Sequence, residues 1–227
     1  APASVQGMHL LTVYSHPFTD RYPAAVTNAF HEPFRAAGHT IDVLDLHRED
    51  FDPRFTPEDH AHFWGGPIPD EIAAMHRRVE DADRMAFVFP VYWWGMPAMM
   101  KGWIERVFTV GWAYQYGKGV EDRGKQPLTS LLGNIPTTLI GIGGSTRRTY
   151  DRYGYDDAMR TQIDVGTFAY CGVTDVTSHL IYDVEGEHNS PIRQDGLNQA
   201  AEIGRDFLAP DRVIRNVKEE HLRRRAG

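Results

Sequence analysis

The sequence predicts an α/β protein: one doubly wound, five-stranded parallel sheet with helices on both faces. Two observations predict it. Short apolar, β-branched runs alternate along the chain with stretches of helical spacing. The length, 227 residues, suits one good-sized domain with a full core.

Residues 9–14 (HLLTVY) read as a buried strand. A polar loop, 15–20, leads into a helix over about 22–37. Ala25, Ala29, Phe30 and Phe34 share one face of it, and Gly38 stands where a C-cap belongs. Residues 40–45 form the second strand. Residues 47–69 are irregular and rich in Pro, Asp, His and aromatics, the composition of a functional loop or lid. The spacing of Ile72, Met75 and Val79 predicts a helix over 70–82. Strands three, four and five are expected at 84–89, 136–142 and 173–181, and further helices at 97–108, 155–171 and 194–208. Residues 111–132 read as a Gly-rich aromatic loop. The folded domain is expected to span 8–208, after a disordered or extraneous leader, 1–7. A basic tail, 209–227, carries Arg223, Arg224 and Arg225. Such a run is expected to be a solvated or frayed end, or else a contact with a dimer partner.

Composition narrows the function. The formal net charge of −7 argues against a nucleic-acid binder, whose footprint would be basic. A single cysteine, Cys171, allows neither an intrachain disulfide nor a Cys-based metal site. Eleven histidines show no paired ligand spacing. No apolar run approaches the ~18 residues that span a bilayer, and the first residues lack the pattern of a secretory signal. A cytoplasmic location is the expectation.

In an open α/β sheet, ligands bind beyond the carboxyl ends of the strands. Three loops there are chemically unusual. The loop 15–22 offers His16, Thr19, Arg21 and Tyr22 at a helix N-terminus, where an anion is favoured. It has no G-x-G-x-x-G and no P-loop pattern. The loop 90–97 holds Tyr92, Trp93 and Trp94 in succession. Three consecutive loop aromatics cannot all point inward, so some face a planar ligand or a partner. The loop 141–146 places Gly143 and Gly144 where backbone amides can approach a ligand, with Tyr150, Tyr153 and Tyr155 following.

The run from Phe89 to Phe108 (FPVYWWGMPAMMKGWIERVF) closely resembles the central motif of the NAD(P)H:quinone oxidoreductase family, the DT-diaphorase-like or flavodoxin-2 proteins. Weaker matches follow in the family's order: Ser15-His16-Pro17, the segment 38–46, Trp112–Tyr116, Gly143-Gly144 and Tyr170-Cys171-Gly172. The resemblance covers about 8–208 and implies a flavodoxin-like fold. It further implies a homodimer, with a non-covalent flavin near each end of the interface.

By that resemblance His16, Asp20, Arg21 and Tyr22 hold the flavin phosphates or ribityl chain. Pro90, Val91, Tyr92, Trp93 and Trp94 line the ring system. Gly143 and Gly144 serve its pyrimidine edge, and Tyr114 and Tyr116 face the acceptor pocket, usually across the dimer. This chain reads Arg21-Tyr22-Pro23 where the family has Ser-Phe-Asn, so Arg21 is expected to replace a lost phosphate contact. It also lacks a histidine near the three tyrosines, and the longer C-terminal extension of the eukaryotic members.

The implied activity is two-electron transfer from NAD(P)H to a quinone-like acceptor, with ping-pong kinetics. Amides of Gly143 and Gly144, with one of Tyr150, Tyr153 or Tyr155, are expected to stabilise charge on the ring edge. FAD is favoured over FMN, because the chain beyond Cys171 is long enough for an adenine pocket through 188–193. Alternatives are an azo- or nitro-reducing enzyme of the same fold, a regulatory subunit of an ion-efflux system, and an electron carrier.

Overall fold

The computed structural model describes residues 7–185 and 190–227. Five parallel strands form the central sheet: β1 (His9–Tyr14), β2 (Thr40–Asp45), β3 (Arg84–Pro90), β6 (Thr137–Ile142) and β7 (Val176–Ile181). They lie in the order β2-β1-β3-β6-β7. The order reverses direction at β1 and β3, the topological switch point of a doubly wound sheet.

Burial follows position in that order. β6 is buried throughout, and β1 and β3 throughout except at their first residue, which fits strands covered on both faces. The edge strand β2 is buried only at its last two residues.

Alternation along the strands divides the core in two. Leu11, Val13, Phe87, Phe89 and Leu139 face one side, packed with Trp103 and Phe168. Leu10, Tyr14, Val88, Ile140 and Ile142 face the other, packed with Phe30, Phe34 and Phe207. Helices α1 (Tyr22–Ala36) and α7 (Pro191–Leu208) cover this second face. Buried Thr12 bonds His31 of α1 at 2.8 Å. Burial pushes that imidazole down to about 4, so it packs as a neutral ring.

Three stretches differ from expectation. Residues 47–69 contain helix α2 (Pro57–Phe63), opened by a capping box between Thr56 and Asp59. The Asp59 carboxylate also holds Arg106 of α4 (Ala98–Val107), with Arg106 Nε donating at 2.7 Å. Both side chains are buried. Arg106 bonds the Asp52 carbonyl and Glu71 of α3 (Asp70–Glu80) as well, and its guanidinium lies over Phe51. This segment is therefore pinned rather than free as a lid. Residues 111–132 are not all loop: β4 (Tyr114–Tyr116) and β5 (Leu128–Ser130) pair as an antiparallel ribbon.

The tail is the third. Val217–Ala226 is a helix, α8, capped by Asn216, with Val217 buried and its N–H on the Thr174 carbonyl. Arg212 pairs with buried Asp175, and Arg215 with Glu220. Those contacts anchor a stretch whose composition reads as a solvated end.

Helix α5 (Arg147–Tyr153) precedes α6 (Tyr155–Met159), which widens into a π-helix over Arg160–Phe168 and ends in a 3-10 turn, Ala169–Cys171. The sequence suggests one helix over 155–171; hydrogen-bond geometry divides it. Among the described residues no helix is long and apolar enough to cross a membrane.

Replacing Asp59 by Ala strands most of a buried guanidinium and removes a cap. Urea unfolding is expected to show a loss of about 3 kcal/mol; a change under 1 kcal/mol, about what a surface pair contributes, would mean that Glu71 and the Asp52 carbonyl suffice.

Candidate functional site

The carboxyl ends of β1, β3 and β6 open into a cleft of about 630 Å³, within the range of small-molecule and cofactor sites. Pro90, Val91 and Ile142 line its base. His16, Arg21, Arg193 and Gly144 line it as well; Arg193 Nε donates to the Val184 carbonyl at 2.9 Å, and the Glu185 carboxylate lies beside Gly144. Val91 extends the sheet by one bond beyond β3, its N–H meeting the Ile142 carbonyl at 2.8 Å.

The chain then reverses. Tyr92 N–H donates to the Gly95 carbonyl at 3.1 Å, and Gly95 N–H to the Tyr92 carbonyl at 3.2 Å. The two residues between, Trp93 and Trp94, have φ of 49° and 61°. Positive φ at both centres makes a type I′ turn, a place normally held by Asn-Gly. Bulky aromatics in the left-handed region cost about 1–3 kcal/mol each and cluster where function demands them.

Trp94 is held by its neighbours. Its ring stacks on Tyr155 at 3.8 Å and 12°, and meets Tyr150 edge-on at 5.4 Å. Trp93 has no such support and is 93% exposed. A large indole in a strained turn, open to solvent, marks a surface built to be covered.

At the anionic end, Phe18 N–H donates to His16 Nδ1 at 3.1 Å. The Phe18 carbonyl accepts from Tyr14 Oη. His16 Nδ1 also lies 3.0 Å from the Phe18 carbonyl, so Nδ1 is taken up within the loop and Nε2 is the nitrogen left for a ligand. Arg21 lies over Phe18 and pairs with Asp20 at 3.8 Å, both side chains being mostly exposed. Phe18, Tyr22 and Tyr92 bring aromatic surface to the cleft and Arg21 and Arg193 bring cations, which suits a flat ring with an anionic tail; Trp93 and Trp94, expected at this site, do not line it.

The chain matches the Flavodoxin_2 family, described as a flavodoxin-like fold, over residues 8–203. It belongs to this family. An uncharacterized NAD(P)H oxidoreductase of Escherichia coli is 34% identical over 195 residues, covering 82% of this chain and 92% of that protein. The rat NAD(P)H dehydrogenase [quinone] 1 is 28% identical over 191 residues, covering 77% and 68%. Among solved structures, an NAD(P)H:quinone oxidoreductase from Methanothermobacter marburgensis superposes with a TM-score of 0.75 at 27% identity, covering 90% of this chain and 98% of that one.

Within this flavodoxin-like chain some expected site residues have other work. Tyr22 lines the cleft, but its hydroxyl donates to the Arg193 carbonyl at 2.8 Å, tying α1 to α7. Gly143 N–H donates to the Ile181 carbonyl at 2.8 Å, so it continues the sheet and cannot serve a ligand. Among the described residues nothing takes up the Gly144 N–H. Asp20 does not line the cleft.

The three tyrosines separate clearly. Tyr150 is buried, and its hydroxyl lies 2.7 Å from where a Cβ on Gly143 would stand. Burial, with Tyr182 nearby, pushes it up to about 12. Tyr155 backs Trp94, and Tyr153 is 59% exposed. Tyr114 and Tyr116 lie elsewhere, clustered with Tyr170 on the β4-β5 ribbon. Nothing in this single chain brings them to the cleft.

Sequence reasoning passes over Tyr182, which packs on Tyr150, and Glu185, whose carboxylate presses on Gly144. Arg193 was legible only as the end of an expected adenine pocket. Residue 188, at the start of that pocket, lies outside the described residues.

Gly143→Ala sets a methyl against the Tyr150 hydroxyl. It is expected to cost about 1–3 kcal/mol, much of which Gly143→Ala/Tyr150→Phe should restore in thermal unfolding. Equal losses in both variants would show that the hydroxyl is not the obstacle. Trp93→Asn, which tolerates the left-handed region, is expected to raise the melting temperature of the ligand-free protein by a few degrees; a fall would show that the turn is not strained.

Proposed function

We propose that this oxidoreductase carries two electrons from NAD(P)H to a quinone-like acceptor, with a non-covalent flavin resident in the cleft. The strained Tyr92–Gly95 turn carries the reading. It sets exposed aromatic surface beside the open Gly144 N–H, at the switch point where such folds bind ligands. The family and its NAD(P)H-dependent relatives support it.

The residues present fit the group. Val91, Tyr92, Trp93 and Trp94 would lie along the ring system. His16 Nε2, Arg21 and Arg193 would meet its phosphates. Two arginines in the lining, Arg21 and Arg193, favour FAD, which carries two phosphates, over FMN, which carries one. Bound there, the flavin supplies two-electron redox chemistry on a planar ring.

The chain's own part is positioning and charge. Gly144 N–H is the donor for the ring edge where negative charge develops, and Tyr150 is the tyrosine set closest behind it. Buried and held neutral, Tyr150 can donate without ionising. The Trp93–Trp94 turn, which follows Tyr92 at the cleft, would shield the ring face from water. Donor and acceptor use that face in turn, which gives ping-pong kinetics. A second copy of the chain would bring its own Tyr114 and Tyr116 over the acceptor.

The purified protein is expected to be yellow with the visible absorbance of an oxidised flavin, with FAD in the released fraction. A colourless protein that takes up neither flavin ends the reading. Tyr150→Phe is expected to slow quinone reduction by at least about tenfold, and Tyr153→Phe by less than about twofold. The reverse order would move the role to Tyr153.

A further inference from the structure

A cavity of about 50 Å³ lies between β7 and the π-helix, and Tyr182, which packs on Tyr150, is part of its wall. Its lining includes Asp164, Ser178 and Tyr182. Phe89, Leu139, Met159, Ile163 and Leu180 form its apolar side, and beside the polar groups there is room for ordered water. Tyr182 packs edge-on against Tyr150 with ring centroids 5.0 Å apart.

Asp164 is 3% exposed, yet one hydroxyl serves its carboxylate: Ser178 Oγ, at 2.7 and 2.8 Å from the two oxygens. Its other flank faces a groove of about 250 Å³ between the π-helix and α8. Arg160, Arg215, Glu220, His221 and Arg224 line that groove, with Asp157 at its rim. Arg225 lines the groove too, and His179 of β7 and Asp156 of α6 stand on the wall of the small cavity. The carboxyl group thus stands between an inner polar cavity and a groove open to solvent.

The reaction under the proposed function needs a proton: NAD(P)H, a quinone and one proton give NAD(P)⁺ and a hydroquinone. The hydride brings two electrons and one hydrogen, and the second hydrogen comes from solution. Of the groups lining the small cavity, Asp164 is the carboxyl whose hold on a proton burial strengthens. Tyr150 is held protonated, and burial pushes His179 down to about 4, leaving it neutral. Burial pushes Asp164 up to about 6, against the opposing pull of Ser178, Arg160 and Arg215, while Glu220 adds to the rise.

We propose that Asp164 is the proton store of this site, passing a proton through the small cavity to Tyr182 and Tyr150 and refilling from the α8 groove. The store rests on the oxidoreductase reading of the cleft. Asp164 acts through the tyrosines and is a positioning residue for the proton, not one that touches substrate.

Carbon-13 labels on aspartate carboxyls and tyrosine rings test it without turnover. The Asp164 signal, assigned by its loss in Asp164→Asn, is expected to titrate near pH 6, with the Tyr182 signal moving at the same midpoint. In turnover with NAD(P)H and soluble benzoquinone, the wild-type rate is expected to fall at least about tenfold above that midpoint, as the store empties. Asp164→Asn should be flat at the low plateau. Ser178→Ala removes the donor that favours the carboxylate, so both midpoints should move up. This variant keeps the test alive if Asp164→Asn fails to fold.

A carboxyl that does not titrate between pH 5 and 7, or a Tyr182 signal indifferent to it, overturns the store. So does an Asp164→Asn profile that matches wild type. Wild-type protein with neither flavin nor NAD(P)H oxidation overturns the function of the cleft and the store with it. A normal wild type with an unchanged Asp164→Asn profile overturns the store alone.

Discussion

Hydrogen bonding along both edges of β3 is the constraint on which the rest depends. β1 and β6 pair with it in parallel register, and both of its faces are buried. The last bond on that side, Val91 to Ile142, carries the ladder to the brim of the cleft. Beyond it the chain has no partner strand to follow and must reverse at once. The reversal through Trp93 and Trp94 is therefore anchored at its root, and the sheet can hold two indoles in a backbone conformation they would not choose.

The same ladder decides which amides are available. Gly143 lies one residue past β6, and its N–H is spent on Ile181 as the sheet runs on. The N–H of Gly144, one residue later, meets no acceptor among the described residues, although the Ser145 carbonyl beyond it accepts from Asp183 N–H. Adjacent glycines thus have different chemistry for a topological reason. Gly143 instead leaves room for the Tyr150 hydroxyl, which a side chain there would displace.

Electrostatics away from the cleft support this arrangement. Arg106 gathers Asp59, Glu71 and the Asp52 carbonyl, and so turns an irregular segment into a fixed wall. Burying such a cluster adds little net stability, but removing one member leaves a charge without its partner. On the opposite flank, α8 packs against the π-helix and forms one wall of the groove beside Asp164.

By itself, the sequence determined the alternation of strands and helices, the parallel sheet, and the three loops at its carboxyl ends. Local pattern suffices there, because strand and helix periods are written residue by residue. It also named the aromatic run and the paired glycines. Tertiary structure alone decided that Gly143 is spent and Gly144 open, and that Tyr150, not Tyr153, is the buried hydroxyl. It also decided that residues 57–63 and 217–226 are docked helices. Those outcomes turn on partners far along the chain: Ile181 for Gly143, Arg106 for Asp59, Thr174 for Val217. Neither periodicity nor composition encodes such a partner; packing selects it once the sheet has formed.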